Sequence, residues 1–435
     1  MFDLREQCGN NVSNIVFKIT QLPSGVRVAT AEMPYMDSIS LGVWVGVGGR
    51  YESARLSGAS HFIEHLLFKG THRRSAKQIS QTVEGVGGYL NAFTGEETTC
   101  YYAKASHKHF NILLDVLSDM YLHSRFAIAD IDKERGVIKE ELLMYRDQPD
   151  HYVHELLTET LWPGHPLGRS LTGTAKSLDG MDRGGLLGFK QKKYVAANTV
   201  VAVAGHCVHD DIVRRVEKTL ALPKNGRSPA FEPVRDAQKA ARLRFFTKDC
   251  EQSHLAIGIR GYSRHDSRRY ALKSLSVILG ENMSSRLFQV IREKHGLAYS
   301  IQSSTSYLSD TGALLISAGL DTKRLQPAVA LILKELRKIS KQPPSAIELQ
   351  RAKDYAIGQM RLGLESTANR MMWLGEHLLA YGAIQSPAEV ERHIAGVKAT
   401  DVQKAAADIF RDNRLNVAVI TPSKDEKAIS SLLSF

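Results

Sequence analysis

Cysteine is scarce in this chain of 435 residues, and long hydrophobic runs are missing altogether. The four cysteines are scattered without any CxxC pair, which favours free thiols in a reducing compartment over a disulfide framework. No stretch approaches the ~20 consecutive apolar residues that a spanning helix needs, so we expect no membrane span. The cysteines are Cys8, Cys100, Cys207 and Cys250.

The start of the chain also lacks the features of a targeting segment. Residues 1–8 show neither a basic region followed by an apolar one nor the Arg- and Ser-rich, acid-poor composition of a transit peptide. We therefore expect a cytoplasmic protein if the source is a bacterium, or a mature protein of the mitochondrial matrix if the source is eukaryotic.

Positive charge is in excess, but it is not concentrated anywhere. The formal net charge is +11, yet lysine and arginine are spread along the chain, and no nucleic-acid-binding motif accompanies them. We interpret the excess as a solvated basic surface and expect no nucleic-acid partner. The apolar fraction of 43% is ample for large cores.

The most informative feature is the segment His61-Phe-Ile-Glu64-His65. Two histidines four residues apart lie one above the other on a helix face, and Glu64 lies on the same side. Neutral imidazole is a good zinc ligand, and a carboxylate beside a zinc-bound water can take its proton. HxxEH is the pattern of the inverted zinc peptidases. It predicts His61 and His65 as zinc ligands and Glu64 as a general base.

The alternative for this segment is a solvated helix surface, since a chain with 16 histidines can place two of them four residues apart by chance. The surroundings favour a buried helix instead. Residues 57–60 offer capping side chains, and the apolar run 66–68 follows the second histidine. Two histidines and a glutamate on a buried helix are costly unless a partner such as a metal satisfies them.

A catalytic zinc takes three protein ligands, and the best third candidate lies further along the chain. The segment 131–145 carries apolar residues at helical spacing, with Glu134 and Glu141 two turns apart on one face. Glu140 points about 100° away and is interpreted as a surface residue. A second carboxylate commonly orients a ligand or a bound water, and Glu134 suits that role. The alternative is an ordinary charged surface helix.

A segment rich in turn-forming residues divides the chain into halves of similar size. We place the linker at 221–240, between a first half, 1–220, and a second half, 241–435. Strand and helix periodicities recur in the same order in both halves, which predicts two α+β domains. The stretch 269–273 lies where the repeat places HxxEH and carries no metal ligand. We therefore expect zinc in the first half only.

The periodicities give the following elements in addition to the HxxEH helix and a helix that begins at a capping box, Ser75 with Gln78. The predicted strands are 15–20, 26–32, 39–47, 89–93, 98–105, 199–204, 255–259, 297–307, 312–320 and 415–421. The other predicted helices are 107–122, 130–146, 265–279, 283–294, 323–341, 344–362 and 367–381.

Segments in both halves carry a family resemblance that covers nearly the whole chain. They are GGRYE (48–52), GASHFIEHLLFKGT (58–71), GYLNAFT (88–94), ERGVIKEE (134–141), HPLGR (165–169), SRLFQ (285–289), REKHGLAYS (292–300), ES (365–366) and RM (370–371). With these segments the chain closely resembles the pitrilysin-family inverted zinc metallopeptidases. It is most similar to their mitochondrial-processing-peptidase branch and the bacterial relatives of that branch.

The resemblance implies a set of roles in the first half. One Zn²⁺ per chain would bind His61, His65 and Glu141, with Glu64 as the general base and Glu134 as the supporting carboxylate. An edge strand that pairs with the substrate backbone is also implied. Its residues are Asn91, Ala92 and Phe93.

Two residues of the second half gain a role only from the resemblance. Arg292 and Tyr299 match an arginine and a tyrosine that face the metal across the cavity. Without the resemblance, Arg292 would be interpreted as a surface salt-bridge residue and Tyr299 as a half-buried strand residue.

As a whole, the resemblance implies an α+β fold of two homologous α/β-sandwich halves that close like a clam around a chamber. The implied activity is zinc-dependent endopeptidase cleavage of oligopeptides or unfolded, presequence-like segments bound in extended form. One alternative is a non-catalytic core-protein subunit, against which the intact set of ligands argues. Another is an enzyme that needs a related partner chain. We expect a homodimer or a heterodimer with a related subunit.

Overall fold

The computed structural model describes residues 17–223 and 226–435. Cys8 and the first two residues of the predicted strand 15–20 lie outside these ranges. Within them, the strands form one six-stranded and one five-stranded mixed sheet. The strands are β1 (Phe17–Gln21), β2 (Arg27–Glu32), β3 (Ser38–Val45), β4 (Tyr89–Thr94), β5 (Thr99–Ser106), β6 (Thr199–Gly205), β7 (Arg242–Thr247), β8 (Ser253–Arg260), β9 (Ala298–Tyr307), β10 (Gly312–Leu320) and β11 (Leu415–Thr421).

Helices cover the sheets and connect their strands. None of the described helices is long and apolar enough to cross a membrane. The α-helices are α1 (Ala59–Leu67), α2 (Ala76–Glu84), α3 (Phe110–His123), α4 (Ile128–Asp147), α5 (Pro149–Leu161), α6 (Ala175–Asp179), α7 (Arg183–Lys193), α8 (His209–Thr219), α9 (Arg269–Gly280), α10 (Leu325–Lys341), α11 (Ala346–Gly363), α12 (Thr367–Tyr381), α13 (Pro387–Gly396), α14 (Ala399–Ile409) and α15 (Glu426–Ser430).

One predicted helix, 283–294, is wrong in its extent and type. The observed helix begins at residue 286, where two α-helical residues, 286–287, lead into a π-helix, Phe288–Lys294. The start is delayed because Asn282 Oδ1 accepts a hydrogen bond from the backbone N–H of Ser284 at 3.0 Å, a local bond that competes with helix formation. Each predicted strand is present, whereas β7, α5 and the helices α6, α7, α8, α13, α14 and α15 were not predicted.

The two sheets repeat one topology, which confirms the predicted pair of homologous halves. The first sheet has the order β1-β2-β6-β3-β5-β4, and the second has the order β7-β11-β8-β10-β9. In the first sheet, β6 pairs in parallel with β2 and antiparallel with β3. In the second sheet, β11 pairs in parallel with β7 and antiparallel with β8. Strand β1 is an addition to the first sheet. The edge strands β4 and β9 occupy equivalent positions.

One helix of each half packs on the sheet of the other half. Helix α5, which precedes the linker, buries Val153 and Leu157 against Ala256 and Ala418 of the second sheet. Helix α12, which follows the linker, packs on strands β2, β3 and β6 of the first sheet. Both sheets are thus covered on two faces, which explains why β6 and β11 are apolar along their whole length.

The contact made by α12 depends on a glycine. Met371, Leu374 and the Trp44 side chain of β3 belong to one buried cluster. A Cβ atom at Gly375 would lie 2.2 Å from the indole ring of Trp44, so only glycine allows the helix to approach the sheet this closely. The packing of α5 and α12 therefore crosses the predicted division of the chain.

The exchange of helices predicts how separated halves behave. Expressed alone, 1–220 and 241–435 should each expose one apolar helix and one uncovered sheet face, and each should aggregate and lack activity. Co-expression should restore a 1:1 complex, measured by sedimentation velocity and thermal unfolding. The matched control is the full chain cut within the linker after folding, which should stay associated. A half that is monomeric and unfolds with the full-length transition would contradict the exchanged packing.

Candidate active site

Helix α1 presents the HxxEH residues to one side because its other side is in the core. Phe62, Ile63 and Leu66 are buried, whereas the two histidines and Glu64 stay partly accessible. The apolar and polar positions thus follow the 3.6-residue period of a helix at the sheet surface. This arrangement keeps three functional side chains out of the apolar core, and His61 lines a cavity beside the helix.

The N-cap of α1 lies within the predicted segment 57–60, but no side chain of that segment caps the helix. The N-cap is Gly58, with φ of +94° and no side-chain hydrogen bond. Instead, the Glu52 carboxylate accepts the backbone N–H groups of Gly58 and Ser60 at 2.6 and 2.7 Å. A carboxylate at this end satisfies free N–H groups and complements the helix dipole. Burial nevertheless raises the pKa of Glu52 to about 7.

Helix α4 packs against α1 and brings a carboxylate to the histidines. Glu141 Oε1 lies 3.8 Å from His61 Nε2, and Glu141 Oε2 lies 3.6 Å from His65 Nε2. One ligand atom from each of the three residues lies within 4.8 Å of the other two. These separations are too long for hydrogen bonds. They match donors around one zinc ion, which lie about 3.4 Å apart at Zn–ligand distances of about 2.1 Å.

The electrostatic environment of His61 favours the form of imidazole that binds metal. Burial, and then repulsion from His65, lowers the pKa of His61 to about 4. The ring is therefore neutral at physiological pH, which is the form that can bind a cation. The donor set, two imidazoles and one carboxylate, is one that catalytic zinc sites use.

The buried Glu134 fixes the orientation of the second histidine. Its Oε2 lies 3.1 Å from His65 Nδ1, and because a carboxylate only accepts, the Nδ1 must carry the hydrogen. The other ring nitrogen, Nε2, then faces Glu141. Glu134 is 1% exposed and is neutralised by Lys69 Nζ at 2.9 Å, a partner that sequence reasoning missed. Glu140, in contrast, is exposed.

Glu64 lies beside the metal donors and is held from the neighbouring strand. Thr94 Oγ1, at the end of β4, donates a hydrogen bond to Glu64 Oε2 at 2.5 Å. Burial raises the pKa of Glu64, and the hydrogen bond from Thr94 partly offsets that shift. Sequence reasoning did not identify Thr94, although it adjoins the predicted edge-strand residues.

The predicted substrate strand lies at the edge of the first sheet. Asn91, Ala92 and Phe93 belong to β4, whose described sheet partner is β5 alone. The backbone N–H of Ala92 donates to its neighbour's side-chain oxygen, Asn91 Oδ1, at 2.8 Å. Phe93 packs edge-on against Trp44 with ring centroids 5.5 Å apart. An edge strand of this kind is open to pairing with an extended peptide.

The second-half residues lie on the π-helix and on β9. The Arg292 guanidinium lies 4.8 Å from the Phe288 ring centroid and 5.8 Å from that of Tyr299. Tyr299 is 76% exposed. Among the described contacts, none joins Arg292 or Tyr299 directly to the zinc donors. The structure therefore brings together the first-half residues and places this pair apart from them.

Three neighbouring cavities, which share lining residues, lie between the zinc donors and Tyr299. A cavity of about 330 Å³ is lined by His61 and Glu141 and, across from them, by His151 and His154 of α5. The same two histidines line a second cavity of about 380 Å³ between α5 and the second sheet. Gln252 lines this second cavity and also a third, of about 340 Å³, which includes Tyr299.

Sequence reasoning missed His151 and His154 because it did not predict α5. Their spacing of three residues puts both on one helix face. Burial, and then repulsion from His151, lowers the pKa of His154. Both histidines therefore lie between the zinc-side cavity and the cavity at the second sheet.

A helix with HxxEH, a carboxylate from a second helix and an open edge strand beside them define the class of inverted zinc peptidases. Residues 27–175 match the family described as Insulinase (Peptidase family M16), and residues 181–355 match the Peptidase M16 inactive domain. The chain belongs to peptidase family M16, which confirms the pitrilysin-family prediction.

Relatives support this assignment over nearly the whole chain. An uncharacterized zinc protease of Streptomyces coelicolor is 37% identical over 417 residues, which cover 94% of this chain and 90% of the relative. The uncharacterized zinc protease YmxG of Bacillus subtilis is 36% identical, with 92% of this chain and 97% of the relative covered. A protease from Helicobacter pylori has the same fold, with a TM-score of 0.88, 23% identity and coverage of 94% of this chain and 100% of that structure.

Proposed function

We propose that this protein is a zinc-dependent endopeptidase that hydrolyses oligopeptides or unfolded segments bound in extended form. Zn²⁺ is the expected cofactor, because the relatives are zinc proteases by name and the donor set suits this ion. The observation that carries the proposal is the convergence of His61, His65 and Glu141, without direct hydrogen bonds, beside the Glu64 carboxylate.

His61, His65 and Glu141 would hold one zinc ion, and Glu134 would keep His65 in the tautomer that leaves Nε2 free. When bound, zinc would supply Lewis-acid chemistry that makes a water molecule more acidic. Glu64 would take a proton from the water that attacks the scissile carbonyl carbon. The same carboxyl group then gives the proton to the leaving amine.

Substrate would lie along β4 as an additional strand. Pairing with the edge residues Asn91, Ala92 and Phe93 reads the backbone more than the side chains, which suits varied peptide sequences. We further propose that the neighbouring cavities, which share His151, His154 and Gln252, belong to one chamber between the halves. The first half, 1–220, would supply the zinc site, and the second, 241–435, would supply Arg292 and Tyr299 as donors to the carbonyl oxygen.

The processing-peptidase branch, a partner chain and a cytoplasmic location belong to the same proposal. The sequence similarity to that branch favours activity on presequence-like segments, in a homodimer or with a related subunit. The named relatives are bacterial, which favours a bacterial cytoplasmic enzyme over a mitochondrial one. An intact set of zinc donors argues against a non-catalytic core-protein role.

The proposal is tested with the purified chain alone. Zinc content, mass in solution and cleavage of a mixture of unfolded peptides are measured on one preparation, with the cleavage sites read by mass spectrometry. We expect one zinc per chain and internal cleavage that a chelator abolishes. Zinc-loaded protein that cleaves no peptide would refute activity without a partner. Addition of a related subunit would then distinguish an enzyme that needs a partner chain from a non-catalytic subunit.

Tyr299 gives a prediction for the role of the second half. Because the side chain is exposed and carries no core contact, Tyr299→Phe should leave zinc content and the melting temperature unchanged. It should still lower turnover clearly, since loss of one donor to the developing oxyanion costs about 3 kcal/mol. Peptide cleavage rates of the variant and the wild type measure this, with Tyr35→Phe, another exposed tyrosine, as the control. Unchanged turnover would remove Tyr299 from the mechanism.

A further inference from the structure

The hydroxyl group of Thr94 connects the edge strand to the proposed general base. Thr94 is the last residue of β4, and its Oγ1 donates to Glu64 Oε2 on α1 at 2.5 Å. The same side chain lines the cavity that contains His61 and Glu141. Among the described residues, no hydrogen bond reaches the other carboxylate oxygen, Glu64 Oε1. One oxygen is thus held, and one is left for the reaction.

The position of this hydroxyl is fixed by its surroundings. Thr94 pairs with Thr99 across the β4–β5 hairpin, and Gly95 N–H donates to Thr98 O at 2.8 Å. Thr99 Oγ1 donates to Val47 O at 2.9 Å and lies 3.5 Å from Thr94 Oγ1. A side chain held at the end of a closed hairpin loses little entropy when it makes a hydrogen bond.

The same hairpin is attached to the second half of the molecule. Glu97, in the turn, accepts hydrogen bonds from the buried Arg50 at 2.7 Å and from the backbone N–H of Ser309 at 3.1 Å. Arg264, which follows β8 of the second sheet, donates to the same carboxylate. Glu97 is buried, so these ion pairs are shielded from solvent. The place of Thr94 therefore depends on the contact between the two halves.

We propose that Thr94 is a positioning residue, whose hydroxyl orients Glu64 so that Oε1 faces the attacking water. The inference rests on the proposed role of Glu64. The terminal torsion of a glutamate is broad, so a carboxylate without this bond would sample many orientations. Loss of an outer partner of this kind typically costs about 10–100-fold in activity.

The test compares Thr94→Val, which keeps the shape and removes the hydroxyl, with Thr94→Ser, which keeps the hydroxyl. Thr94→Val should lower kcat by about 10–100-fold with KM within twofold of wild type, and Thr94→Ser should restore most of the loss. Zinc content should not change in either variant. The matched control is Thr82→Val on α2. The Thr82 hydroxyl donates a hydrogen bond to Gln78 O of its own helix, so its removal should leave activity unchanged.

Two further measurements separate positioning from a purely structural role. In a Glu64→Asp background the carboxylate no longer reaches the same hydroxyl, so adding Thr94→Val should have little effect. A peptide should bind Glu64→Gln with and without Thr94→Val equally well, since the strand itself is unchanged. Should Thr94→Val misfold, its melting temperature shows this, and Thr94→Ala replaces it in the comparison.

The outcomes distinguish this inference from the function on which it rests. An active wild type whose kcat is unaffected by Thr94→Val, or a Thr94→Ser variant as slow as Thr94→Val, would overturn the role of the hydroxyl alone. An undiminished effect in the Glu64→Asp background would also overturn it, because Thr94 would then act through another group. A zinc-loaded wild type that cleaves nothing would overturn the proposed function and this inference with it.

Discussion

Glu64→Gln is expected to abolish peptide cleavage while leaving the zinc site and the fold intact. The amide has nearly the shape of the carboxylate, and the Thr94 hydroxyl can still donate to its oxygen. It cannot take a proton from water, and a positioned general base contributes about 10²–10⁴-fold to such a reaction. Because Glu64 is not one of the three clustered donors, zinc should remain bound.

The measurement compares turnover, zinc content and melting temperature of this variant with those of Glu140→Gln. Glu140 is exposed on α4, so its change to glutamine provides the same chemical substitution away from the cavity. We expect a loss of several orders of magnitude for Glu64→Gln and wild-type values for Glu140→Gln. Near-normal turnover in Glu64→Gln would show that another group is the base.

Glu141→Gln is expected to release zinc, whereas Glu140→Gln should retain it. Only the Glu141 carboxylate lies between His61 and His65, within 3.8 Å of both Nε2 atoms. A neutral amide oxygen is a poorer zinc ligand than a carboxylate, and two imidazoles alone do not complete a catalytic site. The loss of affinity should exceed the roughly 10–100-fold that removal of an outer partner costs.

Metal analysis after dialysis against a graded series of chelator concentrations measures both variants. Because the helix places the two glutamates about 100° apart, they cannot exchange roles without a change of the backbone. Zinc retained by Glu141→Gln and lost by Glu140→Gln would transfer the third ligand to the neighbouring residue. Zinc retained by both would remove α4 from the metal site.

Local patterns in the sequence gave the helices that carry the proposed site. HxxEH sets a helix face by its own spacing, and Glu134 and Glu141 share a face because seven residues make two turns. The repeat of strand periodicities gave two homologous halves, and the observed sheets have the same order. In these cases each inference depends on residues that are close in the chain.

The features that were missed depend on residues that meet only in the folded molecule. Lys69, Thr94 and the capping carboxylate of Glu52 gain their roles from a partner on another element. The apolar faces of α5 and α12 predict that each helix packs against another element. They do not show that this element is the sheet of the other half. Arg292 and Tyr299 were indicated by family resemblance alone, and only Tyr299 lines one of the neighbouring cavities between the second half and the zinc donors.

The most direct test of zinc-dependent peptide hydrolysis is a metal titration of the wild-type protein. The purified chain is stripped of metal, zinc is added back in fractions of one equivalent, and hydrolysis of an unfolded peptide is followed at each step. We predict no cleavage by the stripped protein, a linear rise with added zinc and a plateau at one equivalent per chain. Full cleavage by the stripped protein, or none at one equivalent, would contradict the account.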